Sequence, residues 1–385
     1  LSQRIEGALN GLGTGFEQGQ AMQSTHALTF FVSLVLFPAC GSDASGEFGD
    51  GSPDSTVQEP CTPLSFSQTL PLQTPFRLLD MAPYEGSAIA LVNGASVGLQ
   101  LVTEDLRSIP IDSEEATHAA LSHGADDSVC VTWAPLQEGP VHRACSPDFE
   151  KVEAGGTLDI NGNFHVAESA AEGPIAFFQG GFSSADAAMQ RSGVWSEVEL
   201  YESSISYFRD AFSVDGFAHG CMITQSDRAA IVGELDLGAG FRGLDRIVTD
   251  PTPSIQGCRM NAVGNEFSAV LVDADDEAYR ATASIGSSGL IASSWTSQPI
   301  ASDVNDRFDY AVSETEYALV YRDDDTGDNV IRRNVAGAWD TQVVTAAGTL
   351  GYPRAFYDAQ GSLHMATTGM ADGELGIGFY RFCAE

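Results

Sequence analysis

The chain has 385 residues and a mass of 40.6 kDa, with 53 acidic against 18 basic side chains and a formal net charge of -35. A field of that sign repels phosphate backbones and excludes nucleic acid as a partner class. Hydrophobic residues at 43% supply a core and exclude wholesale disorder, and 40 glycines point to many turns.

In chain order, residues 1–21 have the pattern of neither a signal nor a domain, and Met22 reads as the natural start. Residues 27–39, ALTFFVSLVLFPA, are an apolar run of signal-peptide length, shorter than the roughly 20 residues of a spanning helix. Cys40 follows. Residues 41–60 are dominated by Gly, Ser, Asp and Pro and read as a flexible acidic tether. The expected organisation is an extension and signal over 1–39, a cysteine and tether over 40–61, and one folded domain over 62–385.

From residue 62 onward, short apolar runs such as 87–94, 127–134, 266–273 and 317–324 alternate with Gly/Asp/Asn/Ser turns. Their β-branched and aromatic content predicts strands, and no convincing amphipathic helix of three turns occurs. A phrase G-x-x-H recurs at Gly162–His165, Gly216–His219 and Gly361–His364, and Trp195, Trp295 and Trp339 follow a related register. Spacings of 44–54 residues match four-stranded propeller blades. The expected fold class is all-β, a single β-propeller of seven four-stranded antiparallel blades, with six as the alternative count. Unit starts are placed near residues 75, 117, 157, 206, 254, 307 and 351. A ring must close, and residues 63–72 are expected to complete the sheet that contains residues 373–382.

Seven cysteines are present. With Cys40 set aside, an even number remains, which in an exported chain suggests disulfides. Cys130 and Cys145 lie on strand-like runs joined by a turn, which suggests a cross-strand pair. Cys221 and Cys258 sit at similar places in consecutive units. Cys61 and Cys383 are the first and last of the folded region, and their pairing would staple the termini.

Two resemblances add to this reading. Phe37-Pro38-Ala39-Cys40 resembles the end of a bacterial lipoprotein signal. That implies lipidation of Cys40, a membrane partner through the lipid anchor, and a place in the cell envelope; Gly41 implies the outer membrane or cell surface. Simple secretion is the alternative. The phrases Asp159-Ile-Asn-Gly162 and Asp358-Ala-Gln-Gly361, each followed by a strand with a histidine, resemble the D-x-x-G-x-x-H repeats of bacterial propellers in the broad sialidase-like group. The sharper form S-x-D-x-G-x-T-W is not met at Ser213-Val-Asp215-Gly216. The resemblance therefore implies an architecture rather than a chemistry.

Three groups are candidates for chemistry. His165, His219 and His364 recur in equivalent phrases, and recurrence favours a structural role within each unit, with the three tryptophans as companions. Asp323, Asp325 and Asp328 put carboxylates on one short loop, where oxygen ligands suit Ca²⁺; solvated turns are the plainer account. Arg228, Arg242, Arg246 and Arg259 fall within 32 residues and could bind an acidic ligand, although pairing with nearby acids is simpler. No nucleophile motif is present, so catalytic residues stay unassigned and an enzyme is the less favoured reading. The expected function is extracytoplasmic recognition of a glycan, peptide or envelope protein. The alternatives are a sialidase-like glycoside hydrolase and a structural subunit of an envelope complex.

Overall fold

The computed structural model describes residues 70–71 and 76–383, apart from 125, 170–172, 181–183, 202–204, 215, 237–239, 248–253, 288, 336, 345–351 and 372–373. Everything described belongs to one compact unit spanning Glu59–Glu385. The expectations for Cys40, Cys61, Met22, the apolar run 27–39 and the tether lie outside the described residues.

Strand β1 (Leu70–Pro71) precedes a first four-stranded sheet of β2 (Arg77–Tyr84), β3 (Ser87–Gly94), β4 (Gly98–Thr103) and β5 (Ser108–Asp112). Next come β6 (His118–His123), β7 (Val129–Ala134), β8 (Glu138–Cys145), β9 (Val152–Ser169), β10 (Gly173–Gly180), β11 (Ser184–Arg191) and β12 (Val194–Tyr201). These form one seven-stranded sheet. A four-stranded sheet follows, of β13 (Ile205–Val214), β14 (Phe217–Thr224), β15 (Ala230–Asp236) and β16 (Gly240–Ile247). Another holds β17 (Ile255–Val263), β18 (Glu266–Asp273), β19 (Ala278–Ser284) and β20 (Thr296–Ala301). The next holds β21 (Phe308–Val312), β22 (Glu316–Arg322), β23 (Asn329–Val335) and β24 (Ala338–Val344). Finally β25 (Arg354–Tyr357), β26 (Leu363–Ala371) and β27 (Glu374–Phe382) take β1 as their fourth strand.

The all-β propeller character is as expected, but the expectation of seven, or six, separate four-stranded blades is overturned. Among the described residues there are five four-stranded sheets and one seven-stranded sheet. The expected starts at 75, 117, 206, 254, 307 and 351 fall within three residues of the first residues of β2, β6, β13, β17, β21 and β25. The start at 157 falls inside β9, which runs for 18 residues without a break. Its first half pairs with β8, Glu138 opposite Asp159, and its second half pairs with β10, Phe177 opposite His165. Asn161-Gly162 looks like a turn in sequence, yet Gly162 lies in strand. A Cβ there would stand 2.3 Å from Gln179 Oε1, so this glycine serves close approach rather than a turn. By contrast Gly216 (φ 86°) and Gly361 (φ 78°) do occupy the left-handed region that a tight turn needs.

The innermost strands β2, β6, β9, β13, β17, β21 and β25 touch one another in succession, and β25 touches β2, so the ring is closed. Leu70 pairs with Ile377 and Pro71 with Gly376, so the closing strand comes from the region foreseen. Apolar clusters lie between neighbouring sheets. Leu91 and Leu101 pack with Val131 and Trp133, and Cys221 and Val232 pack with Phe267 and Leu271. Leu91, Trp133 and Phe267 are wholly inaccessible to water.

Cys130 and Cys145 form the cross-strand disulfide between β7 and β8, and Cys221–Cys258 links β14 to β17 in the next sheet. Cys221 is on a second strand and Cys258 on an innermost one, so their places in the two units differ. Cys383 is also disulfide-bonded.

His219 on β14 is fully buried, lies against Phe212 and Phe267, and shares a 3.0 Å hydrogen bond between Nε2 and the Gly289 carbonyl of the next sheet. Burial lowers its pKa from 6.5 to about 4 and outweighs the bond to Gly289, which acts to raise it; Glu234 stands 3.8 Å from Nδ1 and accepts the Ile291 N–H. The unfolded chain therefore takes up this proton before the folded one does, and stability falls as pH drops from 6.5 towards 4. His219→Gln should lose about 2–3 kcal/mol less stability than the native chain between pH 7 and pH 4. Urea unfolding at the two pH values checks this; equal losses would place the acid sensitivity elsewhere.

Candidate functional site at the ring axis

An innermost strand has one edge with no ladder partner. Its N–H and C=O groups face neighbouring innermost strands and need other satisfaction. Four strands solve this with a charged side chain that reaches the next innermost strand, and Asp80 of β2 stands at the same level, bonded to the Met81 N–H. Asp210 of β13 accepts the Met260 N–H of β17 at 3.1 Å, and Asp309 of β21 accepts the Ala355 N–H of β25 at 3.0 Å. In the other sense, Arg259 of β17 donates through Nε to the Phe308 carbonyl of β21 at 3.4 Å and lies 3.4 Å from Asp309. Arg354 of β25 donates through Nε to the Leu79 carbonyl of β2 at 2.7 Å, next to Asp80. The level is shared in register: Asp80 is opposite Leu91, Asp210 opposite Cys221, Arg259 opposite Val270, Asp309 opposite Val320 and Arg354 opposite Ala366.

Electrostatics follow from this packing. Burial pushes Asp80 and Asp210 up to about 6; Arg354 opposes it at Asp80 and Arg259 at Asp210. At Arg259 burial acts to lower the pKa, but Asp309, Asp210 and Asp80 hold it above the usual guanidinium value. Arg354 is lowered, by burial first and then by Arg259.

Two strands break the pattern. On β9 the matching place, opposite Phe177, is held by His165. On β6 it is Ala120, opposite Thr132, and both pack towards the following sheet or are buried with it. A cavity of about 650 Å³ opens beside β6. It is lined by Arg77 and Leu79 of β2, Arg354 of β25, Ala116–Ala119 at the start of β6, and Gly162–His165 of β9, with Asn93 and Glu115 at its rim. Asn93 fixes one wall: its Nδ2 donates to the Ala116 carbonyl at 2.8 Å and its Oδ1 accepts the Ala116 N–H at 3.0 Å. His118 is bonded to the Ile160 backbone, and burial lowers its pKa despite that bond. Two arginines and two histidines thus converge on one opening, with Glu115 as the lone carboxylate among the described lining residues.

The residues singled out in sequence are dispersed. His364 is buried on β26 between Asp358, 3.0 Å from Nε2, and Glu104 of the neighbouring sheet, 3.3 Å from Nδ1. Burial acts to raise Glu104, but bonds from His364 and Ser87 bring it below the usual carboxylate value. His219 and His364 both bridge to the next sheet from second strands; His165, on an innermost strand, does not share their place. Trp195 and Trp339 lie on the fourth strands β12 and β24, and Trp295 just precedes β20, where its Nε1 donates to Asp245 of the preceding sheet at 3.1 Å.

Of the four arginines, Arg259 is axial, Arg246 pairs with Asp227 at 3.1 Å, and Arg228 is exposed in the β14–β15 turn. The Arg242 side chain lies outside the described ones. Arg228, Arg246 and Arg259 lie in different surroundings. Asp323 accepts the backbone N–H groups of Thr326 and Asp325, both at 2.9 Å, which spends one carboxylate oxygen on its own turn; Asp325 and Asp328 are in the same turn. Among the described residues, no group of three or more His, Cys, Asp or Glu side chains is arranged to hold a metal ion. Of the axial charges, Arg259 was singled out in sequence as a candidate binding arginine, whereas Asp80, Asp210, Asp309 and Arg354, and the cavity residue Arg77, were not. One signal was available: Asp210, Arg259, Asp309 and Arg354 follow one another at intervals of 49, 50 and 45 residues, each a charge within a strand-like run.

No protein-family model matches the chain, and no curated protein matches it significantly. Solved structures share the fold at very low identity. U3-55K is 8% identical, with 82% of this chain and 99% of that one covered and a TM-score of 0.51. The SapL1 lectin, solved with alpha methyl fucoside, is 11% identical over 74% of this chain and 98% of that one, with a TM-score of 0.48. A subtype N11 neuraminidase-like protein of a flat-faced bat virus from Peru is 9% identical over 84% and 97%, with a TM-score of 0.47. The likeness to U3-55K shows the β-propeller fold and nothing finer.

The axial carboxylates give a second pH signature of opposite sign. A folded Asp210 that binds its proton up to about pH 6, against 3.8 in the ordinary state, contributes stability at low pH that is lost as pH rises through 6. Asp210→Asn keeps an oxygen for the Met260 N–H and cannot ionise. Relative to the native chain, it should gain about 2 kcal/mol between pH 4 and pH 7. Chemical denaturation at both values measures this; a pH-independent difference would show that Asp210 is charged at no stability cost.

Proposed function

We propose that the protein is a binding protein whose ligand enters the axial cavity, and that the ligand is an acidic glycan. The observation that supports this is the convergence of Arg77, His118, His165 and Arg354 on one cavity in a chain so poor in basic residues. Ligand pockets are concave and few, with a small number of placed polar groups that set specificity, and arginine matches a carboxylate in planar, two-pronged fashion. The remaining lining, Asn93, Thr117 and Asn163 with Leu79 and Phe164, offers amide and hydroxyl groups beside apolar surface, as a sugar ring requires. A hydrolase reading is less well supported. Glycoside hydrolysis needs two carboxylates or a tyrosine nucleophile, whereas the described lining contains Glu115 alone and no tyrosine.

An extracytoplasmic location, with Cys40 as a lipid anchor, is part of this proposal and rests on the apolar run before that cysteine. Mass spectrometry of the native protein tests it: a diacylglyceryl-modified Cys40 is expected, and an intact 22–39 segment rejects both anchoring and secretion.

For the ligand, titration calorimetry with an oligogalacturonate and with a neutral oligosaccharide of equal length is decisive. The acidic probe should bind and the neutral one should be at least tenfold weaker. Arg77 is exposed and its removal leaves the core intact, so Arg77→Ala should weaken the acidic probe about tenfold, equivalent to about 1.4 kcal/mol. Equal binding of both probes, or an unaffected Arg77→Ala, would refute the acidic-ligand assignment.

A further inference from the structure

A second opening lies away from the axis. A cavity of about 600 Å³ is lined by both Cys130 and Cys145, together with Arg143, Glu168, Asp126, Ser128 and other small residues. A smaller one of about 300 Å³ adjoins it and shares Arg143, Cys145 and Ser146. We propose that Cys130–Cys145 is a redox-active disulfide that exchanges with a dithiol, with Cys145 as the sulfur attacked and Cys130 as the leaving thiolate held by Arg143.

Three observations combine. First, the two sulfurs differ in access. Cys145 is half-buried and borders both cavities, whereas Cys130 is 1% exposed. An incoming thiolate therefore meets Cys145. Second, Arg143 Nη2 is 3.0 Å from Cys130 Sγ. A guanidinium at that distance stabilises the thiolate left on Cys130, and a better leaving group speeds exchange. Third, the guanidinium is fixed in place. The same Nη2 lies 2.8 Å from Glu168 Oε1, which also accepts the Ser122 hydroxyl at 2.6 Å. Glu168 belongs to β9 and Ser122 to β6, so two elements hold Arg143 against the sulfur. Cys221–Cys258 is the internal contrast. Its sulfurs belong to residues 0% and 1% exposed within the apolar layer between two sheets, and no cavity among those described reaches them.

The step balances as follows. A thiolate of the dithiol attacks Cys145 Sγ. A bond forms between the two sulfurs, the Cys130–Cys145 bond breaks, and its electron pair leaves on Cys130 Sγ beside Arg143. The second thiol of the partner, as thiolate, then attacks the partner sulfur of the mixed disulfide. This releases Cys145 as a thiolate. The dithiol is oxidised to a disulfide, the protein disulfide is reduced to two thiols, and the two protons of the dithiol pass through solvent to Cys130 and Cys145. The reverse direction would make the protein a reductant of disulfides. Glu168 opposes the effect of Arg143 because it shares the same nitrogen.

The test uses the full chain under native conditions with dithiothreitol as the dithiol. Time-resolved alkylation and peptide mapping follow both disulfides in the same molecule. Cys130–Cys145 should be reduced at least about tenfold faster than Cys221–Cys258. Arg143→Met should slow it about fivefold or more, and Glu168→Gln should speed it, with melting temperatures recorded to show that both variants remain folded. In the native chain under limiting dithiothreitol, the first mixed disulfide trapped should be on Cys145. Equal rates for the two disulfides, a rate unchanged by Arg143→Met, or a mixed disulfide on Cys130 would each overturn the proposal. A variant that fails to fold leaves the native comparison and the trapped cysteine to decide.

Discussion

The structure depends on how the free edge of each innermost strand is satisfied. In a sheet whose strands run outward from an axis, the first strand is hydrogen-bonded on one side only. Each backbone group left buried without a partner would cost about 1–3 kcal/mol. Here the answer is side chains from the neighbouring innermost strand: carboxylates take the N–H of Met260 and Ala355, and guanidinium groups reach the carbonyls of Phe308 and Leu79. Aspartate and arginine alternate from β13 through β2, so Arg259, Asp309 and Arg354 each lie between opposite charges, with Asp210 and Asp80 at the two ends. Such charges are costly to desolvate and become tolerable only in company. The same bonds fix the height of one sheet relative to the next, which apolar packing alone does not specify.

The alternation stops at β6, where the matching residue is Ala120, and it is there that the axial cavity opens. It is also there that the chain uses a different device. Instead of ending one sheet and starting another through a loop, β9 passes straight from pairing with β8 to pairing with β10. Continuous backbone joins the two halves of the seven-stranded sheet where a charged side chain does not bridge them. The groups that border the space, Arg77, His118, His165 and Arg354, come from β2, β6, β9 and β25, so the site exists only when the ring is closed.

Much of this architecture is written in local sequence. Gly216 and Gly361 mark real turns, and the apolar runs start strands within a few residues of the expected places. The region around Gly162 misled because Asp159-Ile-Asn-Gly162 shares its phrase with Asp358-Ala-Gln-Gly361, where the glycine does turn, whereas here the missing side chain lets Gln179 approach. The pairing of Cys130 with Cys145 was legible since the two lie on one hairpin. Cys221–Cys258 joins two sheets and depends on how they stack. The site was hidden for the same reason. Arg77 and Arg354 stand 277 residues apart in the chain and become neighbours only through closure of the ring, while Arg228, Arg246 and Arg259, close in sequence, point to different surroundings. The histidine phrase mixed two positions, because His165 follows a glycine in a strand whereas His219 and His364 follow glycines in turns.

The charge distribution then acquires a direction. A chain at -35 repels an anion from every side, and at physiological salt that repulsion reaches only about 8–10 Å. The turns add to it: Asp276 is raised, by burial first and then by Asp324, Asp273, Asp306 and Asp303, which crowd it from neighbouring loops. On the reading proposed above, an acidic ligand crosses this screened field and meets Arg77 and Arg354 where they line the axial opening.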